Sequence, residues 1–524
     1  MMKRRDFLRA GAGVAGAAAV GGVSTACAPS MGIPTPTSVW SAGVASGLHS
    51  PTEVVLWTRV EPTLAPGVTT VMWEVATSPA FTTIVANGSA PVSGLADNTV
   101  KVLVGGLSSD QSYWYRFDTG TDVSPTGRAR TVPLPNATPA RLNLAVASCQ
   151  SFASGFYGAW ASIAAQDVDA VLFLGDYIYE SFAIQLLRRV RDETSETTET
   201  LAQYRDRYKL YRSDTNLASA HAAHPLVPIW DDHEISNDYD KTIFTTEPAR
   251  AAAAYQAWFE YMPVWPISGN QIYRSIRWGN LGELFCLDTR QYRDEHLGTS
   301  LLGILGLAVM SSDLQATGRS IMGTTQRNWL LNGLDTAQSD GVRWKLIGNQ
   351  VMIAPIRLND YDTPENRAID PTLPKHAGLY LGTDSWDGFG WERDQILSHL
   401  DTANVADVAF LTGDVHSFWA APLTTDFDDP GASTVAYEYT CGSISSPSGI
   451  TENSLAGGLN SFATQPAFDY SELRFNGFGL VECTASQMKV TFHQTTATIP
   501  NAGVSPKVQF VATPGIVQPT ITVI

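Results

Sequence analysis

Cysteine is scarce in this chain of 524 residues. There are five, too few for a disulfide scaffold. Charge is scarce too: charged residues make up 16%, against roughly 25% in ordinary usage, so the surface must be rich in uncharged polar groups. Basic residues are the rarer sign, with 34 Lys+Arg against 51 Asp+Glu and a formal net charge of −17. That balance argues against a non-specific nucleic-acid or anionic-membrane binder, because neutralising phosphates needs a basic face. No apolar run reaches the ~18 residues of a membrane span. The closest, residues 301–310, reads as a buried helix, with a greasy lip beside a substrate cleft as the alternative. No internal repeat is visible. What is present is a 44% apolar fraction, enough for a substantial core. The length suits two to four domains at about 150 residues each.

The first residues read as an address. Lys3-Arg4-Arg5-Asp6-Phe7-Leu8-Arg9 precedes a weakly apolar Ala/Gly run from Ala10 to Val23. Charged-then-apolar is the order of an export signal. Paired arginines ahead of Phe-Leu resemble the twin-arginine signal. A short basic helix of the mature protein is the alternative. Thr25-Ala26-Cys27-Ala28 suits small-residue cleavage or lipidation at Cys27, although Ser24 is a poor match to a lipoprotein box. Residues 1–28 are therefore expected to be read by the twin-arginine export machinery, leaving the chain periplasmic, secreted or on the cell surface. The resemblance implies export of the folded protein, with any metal loaded beforehand.

Residues 29–135 alternate and turn often. Val54–Val60, Thr70–Val75, Thr99–Val104 and Ser112–Phe117 read as strands rich in β-branched and aromatic residues. Six or seven short strands fit an antiparallel sandwich. Leu107 followed by Tyr113-Trp114-Tyr115 resembles the tyrosine pattern of immunoglobulin-like and fibronectin III-like modules. No catalytic cluster is apparent there, and Pro133–Pro139 reads as a linker.

From residue 141 to 524 the grammar is that of an α/β fold. Apolar runs of four to six residues suit strands buried on both faces, and each ends in a polar cluster. Leu142–Ala147 leads into Ser148-Cys149-Gln150, Ala170–Leu174 into Gly175-Asp176-Tyr177-Ile178-Tyr179-Glu180, and Leu226–Trp230 into Asp231-Asp232-His233-Glu234. Leu284–Leu287 leads into Asp288-Thr289-Arg290, Trp344–Ile347 into Gly348-Asn349-Gln350, and Val408–Leu411 into Thr412-Gly413-Asp414-Val415-His416. Sites in layered α/β folds form beyond the carboxyl ends of strands. Helices are expected at Tyr157–Gln166, Leu201–Leu210, Gln326–Leu334 and Trp391–Leu400. The acidic run 192–199 reads as a solvated loop and helix start, with calcium binding as the weaker alternative.

A hydrolytic metal site needs anionic oxygen ligands, imidazole, and one ligand able to bridge two ions. Asp176, Asp232, Asp414 and His416 supply those types. A lone Asp after Gly is ordinarily a turn or cap residue; four such positions in one strand-end context make coincidence unattractive. Cys149 alone would read as a small buried hydrophobe and Tyr179 alone as core. His233, beside a candidate ligand, is the candidate proton donor or oxyanion stabiliser, and alone would read as a satisfied structural histidine. Arg290 could fork onto phosphate oxygens or pair with Asp288 or Glu180. Asn237 could orient His233 or touch substrate. Cys441 and Cys483 could pair or stay reduced, and Cys286 reads as buried strand. Histidines 221, 224, 296, 376, 399 and 493 lack a ligand-like context.

These motifs, in this order, resemble the PhoD-type alkaline phosphatases, relatives of the purple acid phosphatases in the calcineurin-like metallophosphoesterase superfamily. The resemblance begins at Gly43–Gly47 and Val55–Arg59 and continues through the strand-end motifs, Asp288–Arg293 and Trp386–Phe389. It departs at Leu48-His49, where Asp-Pro would be expected. The resemblance implies a four-layer α/β/β/α catalytic core and a site with Fe(3+) and one or two Ca(2+) ions. By the family's pattern Cys149, Tyr179 and His416 would hold iron, Asp176 would bridge, and Asp232 and Asp414 would hold calcium, with Asn349 or Gln350 as a further partner. Thiolate and phenolate suit a ferric ion, and carboxylates suit calcium.

The implied reaction is hydrolysis of a small phosphate ester by attack of a metal-activated water or hydroxide at phosphorus, releasing inorganic phosphate. The leaving oxygen needs a metal or a proton. Two alternatives share the sequence. One is a phosphodiesterase, phospholipase D-like or nucleotidase activity on the same metal core, with nucleic acid entering only as a substrate. The other is an exported polymer-binding protein with structural calcium.

Overall fold

The computed structural model describes residues 33–181, 184, 187–193, 196–295, 308–309, 313–373, 375–380, 383–429, 431–448 and 468–524. The expected signal with Cys27, His296 and most of the 301–310 run lie outside the described residues. Within that run Ala308–Val309 pairs as a strand with Tyr380 and Leu379 rather than as a helix.

The N-terminal region contributes β1 (Val44–Leu48), β2 (Val54–Arg59), β3 (Thr70–Ala76), β4 (Ile84–Pro91), β5 (Thr99–Val104), β6 (Ser112–Asp118) and β7 (Gly127–Arg130). Period-two patterning is plain in β6, where Tyr113, Tyr115 and Phe117 are buried and Ser112, Trp114 and Arg116 are less so. The three-strand set β1-β2-β5 and the sheet β4-β3-β6-β7 share one apolar cluster, including Leu56, Val71, Val100 and Tyr115. The first set is not a separate sheet, because β1 continues into the core.

The core begins with β8 (Leu142–Ala147), β9 (Ala170–Phe173), β10 (Leu226–Pro228), β11 (Arg274–Trp278), β12 (Gly282–Cys286), β13 (Ala308–Val309), β14 (Trp344–Asn349), β15 (Arg357–Asp360) and β16 (Gly378–Tyr380). It ends with β17 (Val408–Thr412), β18 (Phe418–Thr424), β19 (Thr434–Thr440), β20 (Tyr470–Glu472), β21 (Asn476–Cys483), β22 (Met488–Thr495), β23 (Ser505–Thr513) and β24 (Ile516–Val523). One ten-stranded sheet runs β24-β23-β22-β21-β8-β9-β10-β1-β2-β5, and a seven-stranded sheet runs β11-β12-β14-β17-β19-β18-β20. Strands β8-β9-β10 are mutually parallel, as are β12-β14-β17-β19.

Alternating side chains lock these sheets between helices. Leu284, Leu346, Ala409 and Leu411 join the apolar cluster of the ten-stranded sheet. Their neighbours Phe285, Ile347 and Phe410 face the other way, into a second cluster. Helices α1 (Gly158–Ala164), α2 (Leu201–Arg212), α3 (Thr215–Ala223) and α4 (Pro248–Tyr261) pack Trp160, Tyr208, Leu217 and Trp258 into the first cluster. Helices α5 (Gly323–Ser339) and α6 (Gly390–Thr402) pack Leu330, Leu334, Ile396 and Leu397 into the second. The layer order is helix, sheet, sheet, helix, the mixed α/β arrangement expected.

Two expectations change in detail. The acidic stretch 192–199 is not uniformly solvated: Glu193 is buried, pairs with Arg207 and accepts from Ala153 N at 3.1 Å. A capping box at Thr200 and Gln203 does start α2. Cys149, Cys286, Cys441 and Cys483 are all buried and unpaired.

Candidate metal centre

The carboxyl ends of β8, β9, β10 and β17 meet at one rim, and the backbone there is unusual. Cys149, Asp176, Asp414 and His416 all lie in the left-handed region, with φ of 59°, 58°, 65° and 56°. Each such residue costs on the order of 1–3 kcal/mol and persists only where its surroundings over-determine it. The tight turns aim four side chains inward from strand ends that would otherwise carry them past one another. The first two turns are laced together: Cys149 N donates to Gly175 O and Gln150 N to Asp176 O, both at 3.0 Å.

Three overlapping groups of ligand atoms result. Cys149, Asp176 and His416 form one, Asp176, Asp232 and His233 a second, and Asp231, Asp232 and Asp414 a third. Within each group the ligand atoms lie within 4.8 Å of one another. Asp176 belongs to the first two and Asp232 to the last two, so the carboxylates are shared between neighbouring positions. Tyr179 closes the first group: its hydroxyl is 2.9 Å from Asp176 Oδ2 and 3.0 Å from His416 Nε2. His416 donates from Nδ1 to Pro447 O at 2.8 Å, which leaves Nε2 unprotonated and facing the Tyr179 hydroxyl. The floor is buried, while the Asp414 side chain is 30% exposed and marks the mouth.

Electrostatics fits an unneutralised cluster. Burial, then repulsion from Asp232, Asp384 and Asp176, pushes the Asp414 carboxyl up to about 7 despite Arg290. Burial likewise raises Asp231 and Asp232 against the pull of Arg290. Asp232 Oδ1 and Asp231 Oδ2 are buried with no hydrogen-bond partner. Buried carboxylates in this state are costly unless a cation joins them. His233 shows the complement. Burial alone would lower its imidazole, but Asp232, Glu180 and Asp176 outweigh burial and raise it well above the ordinary range. Its Nδ1 lies 2.6 Å from Glu180 Oε2.

Four further expected residues lie around this floor. The fully buried guanidinium of Arg290 binds Asp231 through Nε, Asp384 at 2.7 Å and Asp414 at 3.4 Å. It is a clamp under the carboxylates, and its main-chain N–H donates to Asp288 Oδ1 at 3.1 Å. Asn237 is exposed, and its main-chain N–H donates to Glu180 Oε1 at 3.2 Å. Asn349 and Gln350 are buried, and their amides make contacts within the scaffold. Asn349 Oδ1 accepts from Trp386 Nε1 at 3.2 Å, and its Nδ2 donates to Val351 O. Gln350 Nε2 donates to Trp230 O at 3.0 Å and Leu287 O at 2.7 Å, while its Oε1 accepts from Thr289.

Other contributors were not singled out from the sequence. Glu234 accepts from the N–H groups of Asp176, Tyr177 and Asp231 at 3.0, 2.7 and 3.0 Å. It thereby staples two ligand-bearing turns, and its place in Asp-Asp-His-Glu was the available signal. Asp231 and Asp384 flank Arg290. Ser446 and Pro447 come from a Gly/Ser/Pro loop that carries no distinctive pattern. His376, left unassigned, gathers with Asp426 and Asp428 away from these motifs.

Comparison with known proteins identifies the class. A family model described as PhoD-like phosphatase matches residues 144–492, and one described as its N-terminal domain matches residues 26–133. Together they define a phosphoric ester hydrolase. The chain belongs to the PhoD-like phosphatase family. It is 32% identical over 544 residues to alkaline phosphatase D of Bacillus subtilis (strain 168), spanning 97% of this chain and 87% of the relative. A solved structure titled "Structure of PhoD" superposes with a TM-score of 0.82 at 32% identity, covering 93% of each chain.

Proposed function

We propose that this phosphatase is metal-dependent, that it uses one Fe(3+) with Ca(2+), and that it works outside the cytoplasm as an alkaline phosphatase on small phosphate esters. The sharing of Asp176 between two ligand groups carries the metal reading. The orphaned Asp232 Oδ1 and the raised carboxyls beside it fit a multivalent cation. Cys149, Tyr179 and His416 supply thiolate, phenolate and imidazole, a donor set suited to ferric iron, and Asp232 and Asp414 supply oxygen alone, suited to calcium. When bound, such ions supply Lewis-acid charge for the phosphoryl oxygens and an activated water.

The chain's own residues complete the site. Asp176 stands where both halves need a carboxylate. Arg290 fixes Asp231 and Asp414 against their mutual repulsion. Glu180 takes His233 Nδ1, so Nε2 is the ring atom that can give a proton to the leaving ester oxygen. Asn237 N–H holds Glu180 in turn.

Export through the twin-arginine machinery is part of the proposal, supported by Arg4-Arg5 ahead of Phe7-Leu8 and the Ala/Gly run that follows. No helix of the described residues is long and apolar enough to cross a membrane. Lipidation at Cys27 would supply an anchor.

The test combines elemental analysis and a visible spectrum with assays on p-nitrophenyl and bis-p-nitrophenyl phosphate. Iron, calcium and a charge-transfer band are expected, and Asp176→Ala should lose nearly all turnover. A colourless, iron-free, active enzyme removes the iron assignment. An active Asp176→Ala variant removes the bridging role.

A further inference from the structure

One loop touches Cys149, Tyr179 and His416, the three residues assigned to iron alone, and it is not one of the strand-end motifs. It follows β19 and runs Gly442-Ser443-Ile444-Ser445-Ser446-Pro447. Ser446 Oγ lies 2.7 Å from the Tyr179 hydroxyl and 2.9 Å from Cys149 O. Ile444 N–H donates to Ser148 O at 2.9 Å, and Ser446 N–H to Cys149 O at 3.2 Å. Pro447 O accepts the Nδ1 proton of His416 at 2.8 Å. A few consecutive residues thus hold the turn bearing the thiol, the phenol oxygen and the imidazole tautomer.

The loop is itself pinned from behind. Asn476 Nδ2 donates to Ser443 Oγ and Ser446 O, both at 2.7 Å, and Gly477 N–H donates to Ser443 O at 2.8 Å. Arg188 donates to Ser445 O at 2.6 Å and to Asn476 Oδ1 at 3.1 Å. Ser443, Ser445 and Ser446 are fully buried, so no bulk water replaces a lost hydroxyl. The hydroxyl has one proton and two acceptors within reach, Cys149 O and the phenol oxygen. Cys149 O already accepts from the N–H groups of Ser445 and Ser446, so the phenol oxygen, once ionised, is the acceptor left to claim it.

We propose that Ser446 is a positioning residue of the site, donating a hydrogen bond to the Tyr179 oxygen and setting how strongly that oxygen binds its metal. The inference rests on the metal-binding role proposed for Tyr179 and adds to it a residue outside the ligand set. Outer partners of this kind typically change metal affinity or activity by about 10-fold to 100-fold. Removing the donor makes the phenol harder to ionise and leaves it less firmly positioned, which loosens the metal. It also raises the energy of the phenolate's electrons, so a phenolate-to-iron absorption band moves to longer wavelength.

The experiment uses the full-length protein as purified. Ser446→Ala should keep its fold by circular dichroism, show a visible band at longer wavelength, and lose metal to a chelator about 10-fold faster or more. Ser446→Thr, which keeps the hydroxyl, should return both readouts toward wild type. An alanine variant with unchanged band and unchanged metal loss overturns the proposal. So does a threonine variant that behaves like alanine, since packing alone would then explain the loss. If the wild type is colourless and iron-free, the iron assignment fails separately. The loss rate of whichever metal is bound then decides for Ser446, with a faster rate in Ser446→Ala upholding it and an equal rate overturning it.

Discussion

At the scale of single residues, the site is assembled by backbone that ordinary side chains avoid. Gly175, with φ of 109°, precedes the shared carboxylate. A Cβ on it would sit 2.4 Å from both Asp231 Cβ and Asp231 N and 2.8 Å from Trp230 C. The strands β9 and β10 can therefore bring Asp176 and Asp231 together only over a residue without a side chain. Gly175→Ala has no flexible neighbour to yield to it, so both the left-handed strain and the clash are retained. The expected cost is about 3 kcal/mol or more, read as a lower urea midpoint, with turnover falling further than stability because Asp176 moves. Gly175→Ala with wild-type midpoint and kcat would show that the turn can relax without moving its carboxylate. Cys149, Asp414 and His416 share the left-handed geometry but have side chains to keep, so there the strain is held by surrounding hydrogen bonds.

At the scale of elements, the small sheet of β15 and β16 is tied to the core through a charge cluster away from the strand-end motifs. His376, in the turn before β16, is buried and hydrogen-bonds Asp428 through Nδ1 while Nε2 lies 3.5 Å from Asp394 in α6. Arg357 of β15 pairs with the same Asp428 and with Asp360, and Lys375 pairs with Asp394 and Asp426. Burial opposes charge on His376, and Arg393 opposes it further, but the carboxylates of Asp394 and Asp428, which face its two ring nitrogens, carry its pKa above 6.5. The native state therefore holds this proton more tightly than the unfolded chain does. That stabilisation is fully present below the unfolded value of 6.5 and is lost as pH rises through the raised native value. His376→Asn should destabilise by about 2 kcal/mol at pH 6 and by less at pH 9, measured by thermal unfolding at both. An equal loss at the two pH values would mean that the imidazole is neutral throughout and that only its packing matters.

At the scale of the whole molecule, what the sequence made legible was local and what it hid was long-range. Short apolar runs ending in Asp, His or Cys announce strand ends, because a buried parallel strand has no polar face. Asn349 and Gln350 follow such a run too, and nothing in the pattern tells an amide used inside the scaffold from one offered to a metal. The Ser446 contact spans 267 positions, and the parallel pairing of Gly47 with Leu226 fuses the N-terminal strands to the core; neither pair carries a mark. That fusion is dense. Trp57 of β2 donates from its indole to Glu260 O at 2.7 Å, and its ring lies 3.8 Å under the Arg212 guanidinium of α2. Arg128 donates to Val168 O at 2.6 Å, and Arg130 pairs with Asp169 at 3.3 Å. Arg212 is fully buried and bonds to Tyr261 O and His221, not to a carboxylate, so the Trp57 ring is a principal support for its charge. Trp57→Ala removes a buried indole and that support together, at an expected cost of about 3–5 kcal/mol. Because the sheet is continuous, the loss should lower one shared calorimetric transition. Two transitions in the wild type, with only the smaller one moved by Trp57→Ala, would instead make the N-terminal strands an independently folding unit.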